Sequence, residues 1–244
     1  MKAQKFEKNL TPIEFLFYLP MENQTQRPTL PVIIELQYLP CLEFFVALLQ
    51  HEVVYIETHE HFQKQTYRNR CYIQTTNKID LLTVPVQDSR SKVLIRDLRI
   101  EYRQDWVRRH WGAIFSAYGK APFFEYFAYV FEKTFQKKPA FLFDLNWELL
   151  TNCLKLLRIE ENRIKWTEKF EKSENQAIID LRSVISPKKS FLERGIYRPA
   201  SYRQNFGNEF EPNLSILDLL FCQGTEAKKI LEKSSADSSS WVDK

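Results

Sequence analysis

One spacing constrains this chain more than any other. The apolar run Val32-Ile33-Ile34 is followed by the turn Tyr38-Leu39-Pro40, an apolar stretch as far as Gln50, and a second run from Val53 to Ile56 that closes on Glu57. Pro40 stands where a first helical turn would open, a position that has no use for the N–H proline lacks. The β-branched runs on either side suit strands. Strand, turn, helix and strand at this spacing predict a βαβ crossover, and so a parallel pair of strands. The expected fold is α/β: a mixed sheet with a βαβ start, an inserted antiparallel hairpin and flanking helices, in a single domain.

The hairpin is read from Tyr72 to Thr75 and Leu81 to Val86, which flank the polar turn Asn77-Lys78. A further strand is expected over Val93 to Ile100. The period then becomes helical through Trp106, His110, Ala113, Ile114 and Ala117, with Asp105 at the start. Pro122 opens a second helix with a phenylalanine face, and Asn146 is placed as the cap of a third. Arg163 to Thr167 reads as a strand and Ile178 to Ile185 as a short helix. Residues 188 to 212 look irregular, and Asn213 and Ser215 are candidate caps for a helix through Phe221. The implied boundaries are an extension over 1–30, one domain over 31–233 and a Ser-rich, disordered tail over 234–244.

Composition excludes several chemistries. Only five glycines occur, at 112, 119, 195, 207 and 224, and no two are close enough for a Walker loop or a dinucleotide fingerprint. No cofactor is expected on that ground, and any phosphate must be held by side chains or a helix N-terminus. The 35 basic and 31 acidic residues are scattered, so nucleic acid is not indicated as a partner. Cys41, Cys71, Cys153 and Cys222 lack zinc spacing and fit a reducing cytoplasm. Cys71, beside Arg70, is the one thiol with an electropositive neighbour, a weak nucleophile candidate. No stretch approaches the ~20 apolar residues of a membrane span, so the protein is expected to be soluble, with no transmembrane segment.

The candidate site lies in Glu60 to Cys71. Read as extended chain, the segment projects Lys64, Arg68 and Arg70 to one side and Gln65, Tyr67 and Asn69 to the other. Paired arginines suit a diphosphate or carboxylate; a solvated strand edge is the competing account. Glu57 and Glu60, at a strand end in an α/β sheet, are candidate general bases, or else partners of Lys64 or Arg68. His59 and His61 lack a third ligand, so no metal is assigned. His110, beside Trp106 on an apolar face, reads as a buried histidine ahead of a catalytic one. Asp180, Arg182, Lys188 and Lys189 read as a solvated loop. No nucleophile elbow stands out.

These stretches together resemble the WbqC-like protein family. The elements that carry the resemblance are Tyr38-Leu39-Pro40 running into Phe44-Phe45, the acidic strand end Glu57, Asn69-Arg70, and Leu82-Thr83-Val84-Pro85. It continues through Trp106 to His110, Tyr118-Gly119-Lys120-Ala121-Pro122-Phe123-Phe124, Asp144-Leu145-Asn146 and Asn213 to Phe221, about four fifths of the chain. Ile34, Glu35 and Leu36 stand where many members carry His-Gln-Pro. The resemblance implies a bacterial protein of surface-polysaccharide (O-antigen) biosynthesis, a transferase of a glycyl or other aminoacyl group to a sugar or nucleotide sugar. Lys64, Arg68 and Arg70, with Tyr38, Gln65, Asn69 and His110, would then bind a small anionic or nucleotide-linked sugar. Glu57 or Glu60 would deprotonate the acceptor. The alternative is a non-catalytic binding or scaffolding protein that retains the family core, which Ile34 in place of the histidine allows.

Overall fold

The computed structural model describes residues 30–87, 92–170, 177–207 and 209–236. The predicted extension, apart from Leu30, and the tail beyond Ala236 lie outside the described residues. The expected crossover is present: β1 (Val32–Glu35) leads through α1 (Leu42–Leu49) to β2 (Val54–Glu57). β1 and β2 pair in parallel, Val32 with Val54 and Glu35 with Glu57. β3 (Arg70–Gln74) and β4 (Ile79–Thr83) form the antiparallel hairpin as a separate two-stranded sheet. Three helices follow, α2 (Trp106–Tyr118), α3 (Phe124–Gln136) and α4 (Leu142–Leu156), then the short strands β5 (Ile164–Trp166) and β6 (Ile179–Asp180), and finally α5 (Ile216–Gln223) and α6 (Ala227–Lys233). The main sheet has the order β5-β2-β1-β6, all parallel.

α1 is buried almost all round. It packs against α6 on one side and lies within a core that includes Phe44, Phe45, Leu217 and Phe221. Its N-terminal N–H groups would be orphans in so apolar a setting. They are satisfied from far along the chain, because the Leu42 N–H donates to the Leu214 carbonyl and the Glu43 N–H to Asn213 Oδ1 at 2.9 Å. At the other end the Arg163 guanidinium donates to the carbonyls of Leu48 and His51. The helix is thus held at both ends by residues that follow it by more than a hundred positions.

Four sequence readings need correction. Val93 to Ile100 is a single 3-10 turn, Ile95–Asp97, between isolated bridges, not a strand. Ile178 to Ile185 is not a helix: Ile179–Asp180 pair with Val32 and Ile33 as β6, and the chain then turns. Asn146 lies in the interior of α4, not at its cap, and its Nδ2 donates to the Arg68 carbonyl at 2.7 Å. Of the two proposed caps before α5, Ser215 does that work through Leu217 N, whereas Asn213 caps α1.

Candidate functional site

The parallel pairing of β1 with β2 fixes the site. Two strands of the same length end in glutamate, and their register sets Glu35 beside Glu57 at the carboxyl end of the sheet, where open α/β sheets bind ligands. Both are buried, at 1% and 0% exposure. A buried carboxylate must be hydrogen-bonded or paired, and each of these is.

Glu57 Oε1 accepts from Thr167 Oγ1 and from the His59 N–H, both at 2.8 Å, and its Oε2 accepts from Arg182 Nη1 at 2.7 Å. Arg182 also pairs with Asp180 and lies over the Phe170 ring, 4.5 Å from its centroid. Glu35 Oε2 accepts from the Ser183 N–H at 2.7 Å, and its Oε1 accepts from Gln37 Nε2. Arg68 sits between Glu35 and Glu60, fully buried. Its Nε and Nη2 form a fork onto Glu60 at 2.7 and 2.5 Å, Nη2 also reaches Ser183 Oγ at 3.1 Å, and Glu35 Oε2 is 3.9 Å away. Arg68 Nη1 is buried with no partner among the described residues.

The cluster holds three glutamates and two arginines, so it leans negative. Burial raises the Glu60 carboxyl above the usual range, and the Glu35 and Glu57 charges add to that, while the Arg68 fork opposes it. The same fork and the nearby Glu35 hold the Arg68 guanidinium charged despite its burial.

The structure brings together Glu57, Glu60 and Arg68 among the predicted site residues. It does not bring Lys64 or Gln65 to them. The segment from 64 to 69 is a run of turns and bends rather than extended chain, with Gln65 at φ 57°, and both side chains face solvent. The expected alternation of faces therefore fails, since Lys64 is exposed while Arg68 is sealed. Arg70 opens β3 opposite Thr83, half-buried, and its Nε has no partner among the described residues. Asn69 Nδ2 donates to the Val84 carbonyl, a bond that ties the turn to the strand after β4.

Tyr38 and His110 form a pair of their own in the core. The Tyr38 hydroxyl donates to His110 Nδ1 at 2.9 Å, and the backbone of Thr83 accepts from the ring. Burial lowers the His110 pKa to about 4. This is the buried-histidine reading of the sequence. An unfolded chain binds that proton near pH 6.5, whereas the native one does not until about 4, so stability falls as pH drops through this window. The shift corresponds to about 3 kcal/mol. His51, also lowered by burial, acts in the same direction, and Glu60, raised by burial, acts against it. His110→Gln should therefore flatten, without abolishing, the loss of urea midpoint between pH 6.5 and 4. An unchanged slope would show that His110 takes up its proton in the native state.

Sequence reasoning missed Glu35, Arg182 and Ser183. The signal for Glu35 was available, since Val32-Ile33-Ile34-Glu35 and Val54-Tyr55-Ile56-Glu57 share one pattern. Arg182 was read as part of a solvated loop, but its side chain is only 8% exposed and it pairs with the fully buried Glu57. The weak thiol candidate Cys71 is buried, and burial pushes its pKa up, away from a nucleophilic thiolate. His59 accepts from Arg96 Nη1 and contacts Thr58, while His61 is exposed. An open depression of about 570 Å³ lies on α2, lined by Gln104, Asp105, Arg108, Arg109 and Gly112, and none of the cluster residues border it.

No helix among the described residues is long and apolar enough to cross a membrane. No solved structure matches the chain. An uncharacterized protein of Mycobacterium tuberculosis is 27% identical over 225 residues, which span 82% of this chain and 96% of the relative. The WbqC-like protein family profile matches residues 37–194 and 188–230, a span that takes in the Tyr-Leu-Pro turn, the end of β2, the Arg68 turn and α5. By that match the chain belongs to the WbqC-like protein family.

Proposed function

We propose that the protein is a transferase that moves a glycyl or other aminoacyl group onto a sugar or nucleotide sugar, in the service of surface-polysaccharide biosynthesis. The observation that carries this reading is the in-register pair Glu35 and Glu57, joined by Glu60, at the carboxyl end of two parallel strands. A carboxylate-rich site that leans negative suits an amine or hydroxyl acceptor, which must give up a proton as it attacks. Glu57 or Glu60 takes that proton. Arg70, whose Nε is unpartnered among the described residues, supplies positive charge for an anionic donor. The four free, buried cysteines support a place in the reducing cytoplasm.

One observation favours a second reading. Arg68 is sealed and its fork is filled by Glu60, as in an ionic core that only holds loops together. A non-catalytic binding or scaffolding protein would look the same there.

Thermal unfolding with a panel of nucleotide sugars and aminoacyl-phosphate analogues separates the two. Ligand at ~100 times its dissociation constant adds about 2.7 kcal/mol, a visible rise in melting temperature. Arg70→Ala should lose that rise. If no ligand moves either protein, and pull-downs return one stable partner that Arg70→Ala retains, the scaffold reading stands instead.

A further inference from the structure

We propose that Ser183 is a nucleophile that carries the acyl group as a serine ester during the transfer, an inference that rests on the transferase reading above. Ser183 is exposed, yet it touches the buried cluster twice: its Oγ accepts from Arg68 Nη2 at 3.1 Å and its N–H donates to Glu35 Oε2 at 2.7 Å. Among the described residues it joins the solvent-facing surface to the buried guanidinium. Its backbone has φ 61°, the left-handed region that serine seldom occupies, and it follows β6 at the carboxyl end of the sheet. Strain of this kind is tolerated where surrounding contacts over-determine it. Here the Glu35 bond fixes the backbone and the Arg68 bond fixes the hydroxyl.

The guanidinium geometry adds a second element. Glu60 occupies the Nε and Nη2 edge of Arg68. The remaining Nη2 hydrogen, which reaches Ser183, therefore points along the Nη1 and Nη2 edge. Nη1 is buried with no partner among the described residues. The Nη2 hydrogen that Ser183 Oγ accepts is the donor that the oxygen of a carbonyl attacked at Ser183 would meet as it takes on negative charge.

The step balances as follows. Ser183 Oγ attacks the carbonyl carbon of an activated acyl donor, an acyl phosphate or thioester, and its proton passes to the Glu35 carboxylate. The new C–O bond forms as the bond to the phosphate oxygen or thioester sulfur breaks, and that atom leaves with the electron pair. The acceptor amine or hydroxyl then attacks the ester and loses its own proton to Glu57 or Glu60. The Ser183 oxygen departs and regains the proton held on Glu35.

Labelling tests this without knowledge of the natural substrate. The purified full chain is treated with p-nitrophenyl acetate and, separately, with a fluorophosphonate, and the modified residue is mapped by peptide mass spectrometry. The expected result is modification of Ser183 on the order of a hundredfold faster than of the exposed Ser201, the scale of general-base assistance. Glu35→Gln should slow labelling on the order of tenfold or more. Ser183→Gly, which suits the positive φ and so preserves the fold, should abolish it. Labelling no faster at Ser183 than at Ser201, or a label that persists in Ser183→Gly, overturns the proposal. If ligands still raise the melting temperature while Ser183 stays unlabelled, transfer is direct and only the covalent step falls. If neither effect is seen, the transferase reading falls with it.

Discussion

Arg68→Ala should destabilise the protein by about 3–5 kcal/mol, the scale expected when one partner of a buried ion pair is removed and the other is left uncompensated. The substitution strands Glu60, whose carboxylate is held by the Arg68 fork, and removes the cation that stands 3.9 Å from Glu35. Urea unfolding followed by circular dichroism measures the effect. A double variant, Arg68→Met with Glu60→Leu, should recover most of the loss, because apolar groups of similar volume need no partner. Glu35 keeps its bonds from Ser183 N and Gln37 in that background, so it adds little to the cost. A single variant within about 1 kcal/mol of wild type would mean that water reaches the cluster and replaces the guanidinium.

Gly224→Ala is the second substitution with a large expected cost. Gly224 ends α5 at φ 55° and ψ −121°, a region open to glycine and strained for any other residue. A Cβ built there would run into the Phe123 ring. The Phe123 ring has little room to yield, since it stacks on Phe127 and its backbone N–H is bonded to the Phe221 carbonyl. Strain of roughly 1–3 kcal/mol and overpacking of roughly 1–3 kcal/mol sum to several kcal/mol. Gly112→Ala is the internal control. Gly112 lies inside α2 with nothing within 4 Å of an added Cβ, so the same change there should stabilise by roughly 1 kcal/mol through helix propensity. Equal effects at the two positions would contradict the packing described at Phe123.

The elements legible in the sequence are those with strong local signals. The βαβ start is legible because two β-branched runs bracket an apolar stretch, although the helix opens at Leu42 behind the N-cap Cys41 and not at Pro40; the hairpin is legible because a polar turn separates two apolar runs. α2 and α3 carry clear helical periods. What failed was set by tertiary partners. Ile179 and Asp180 are a strand only because β1 offers an edge to pair with; two residues carry no period. Asn146 looks like a cap in isolation, but the helix begins at Leu142 and the asparagine is used to hold the Arg68 carbonyl.

The site divides the same way. Glu57, Glu60 and Arg68 were readable as charged residues at a strand end and in a polar run. Their mutual engagement is not, since strand parity does not apply to residues 64–69, which wind through turns. Ser183 had no signal at all. Its φ and its hydroxyl contact are imposed by Glu35 and Arg68, which precede it by more than a hundred residues.

The way α1 is finished bears on how the chain comes off the ribosome. Its first N–H groups wait for Leu214 and Asn213, and Glu43 waits for the Arg194 fork. Synthesis at roughly 5–20 residues per second puts Asn213 on the order of ten to thirty seconds behind Glu43. During that interval the nascent chain presents Leu42, Phe44 and Phe45, all buried in the finished molecule, to solvent or to whatever shields them. Among the described residues, a chain stopped before residue 213 has all six strands and four of the six helices, yet leaves the deeply buried α1 with an unsatisfied start. Such a fragment should be held by chaperones or aggregate, and the protein should become resistant to proteolysis in one late step rather than domain by domain.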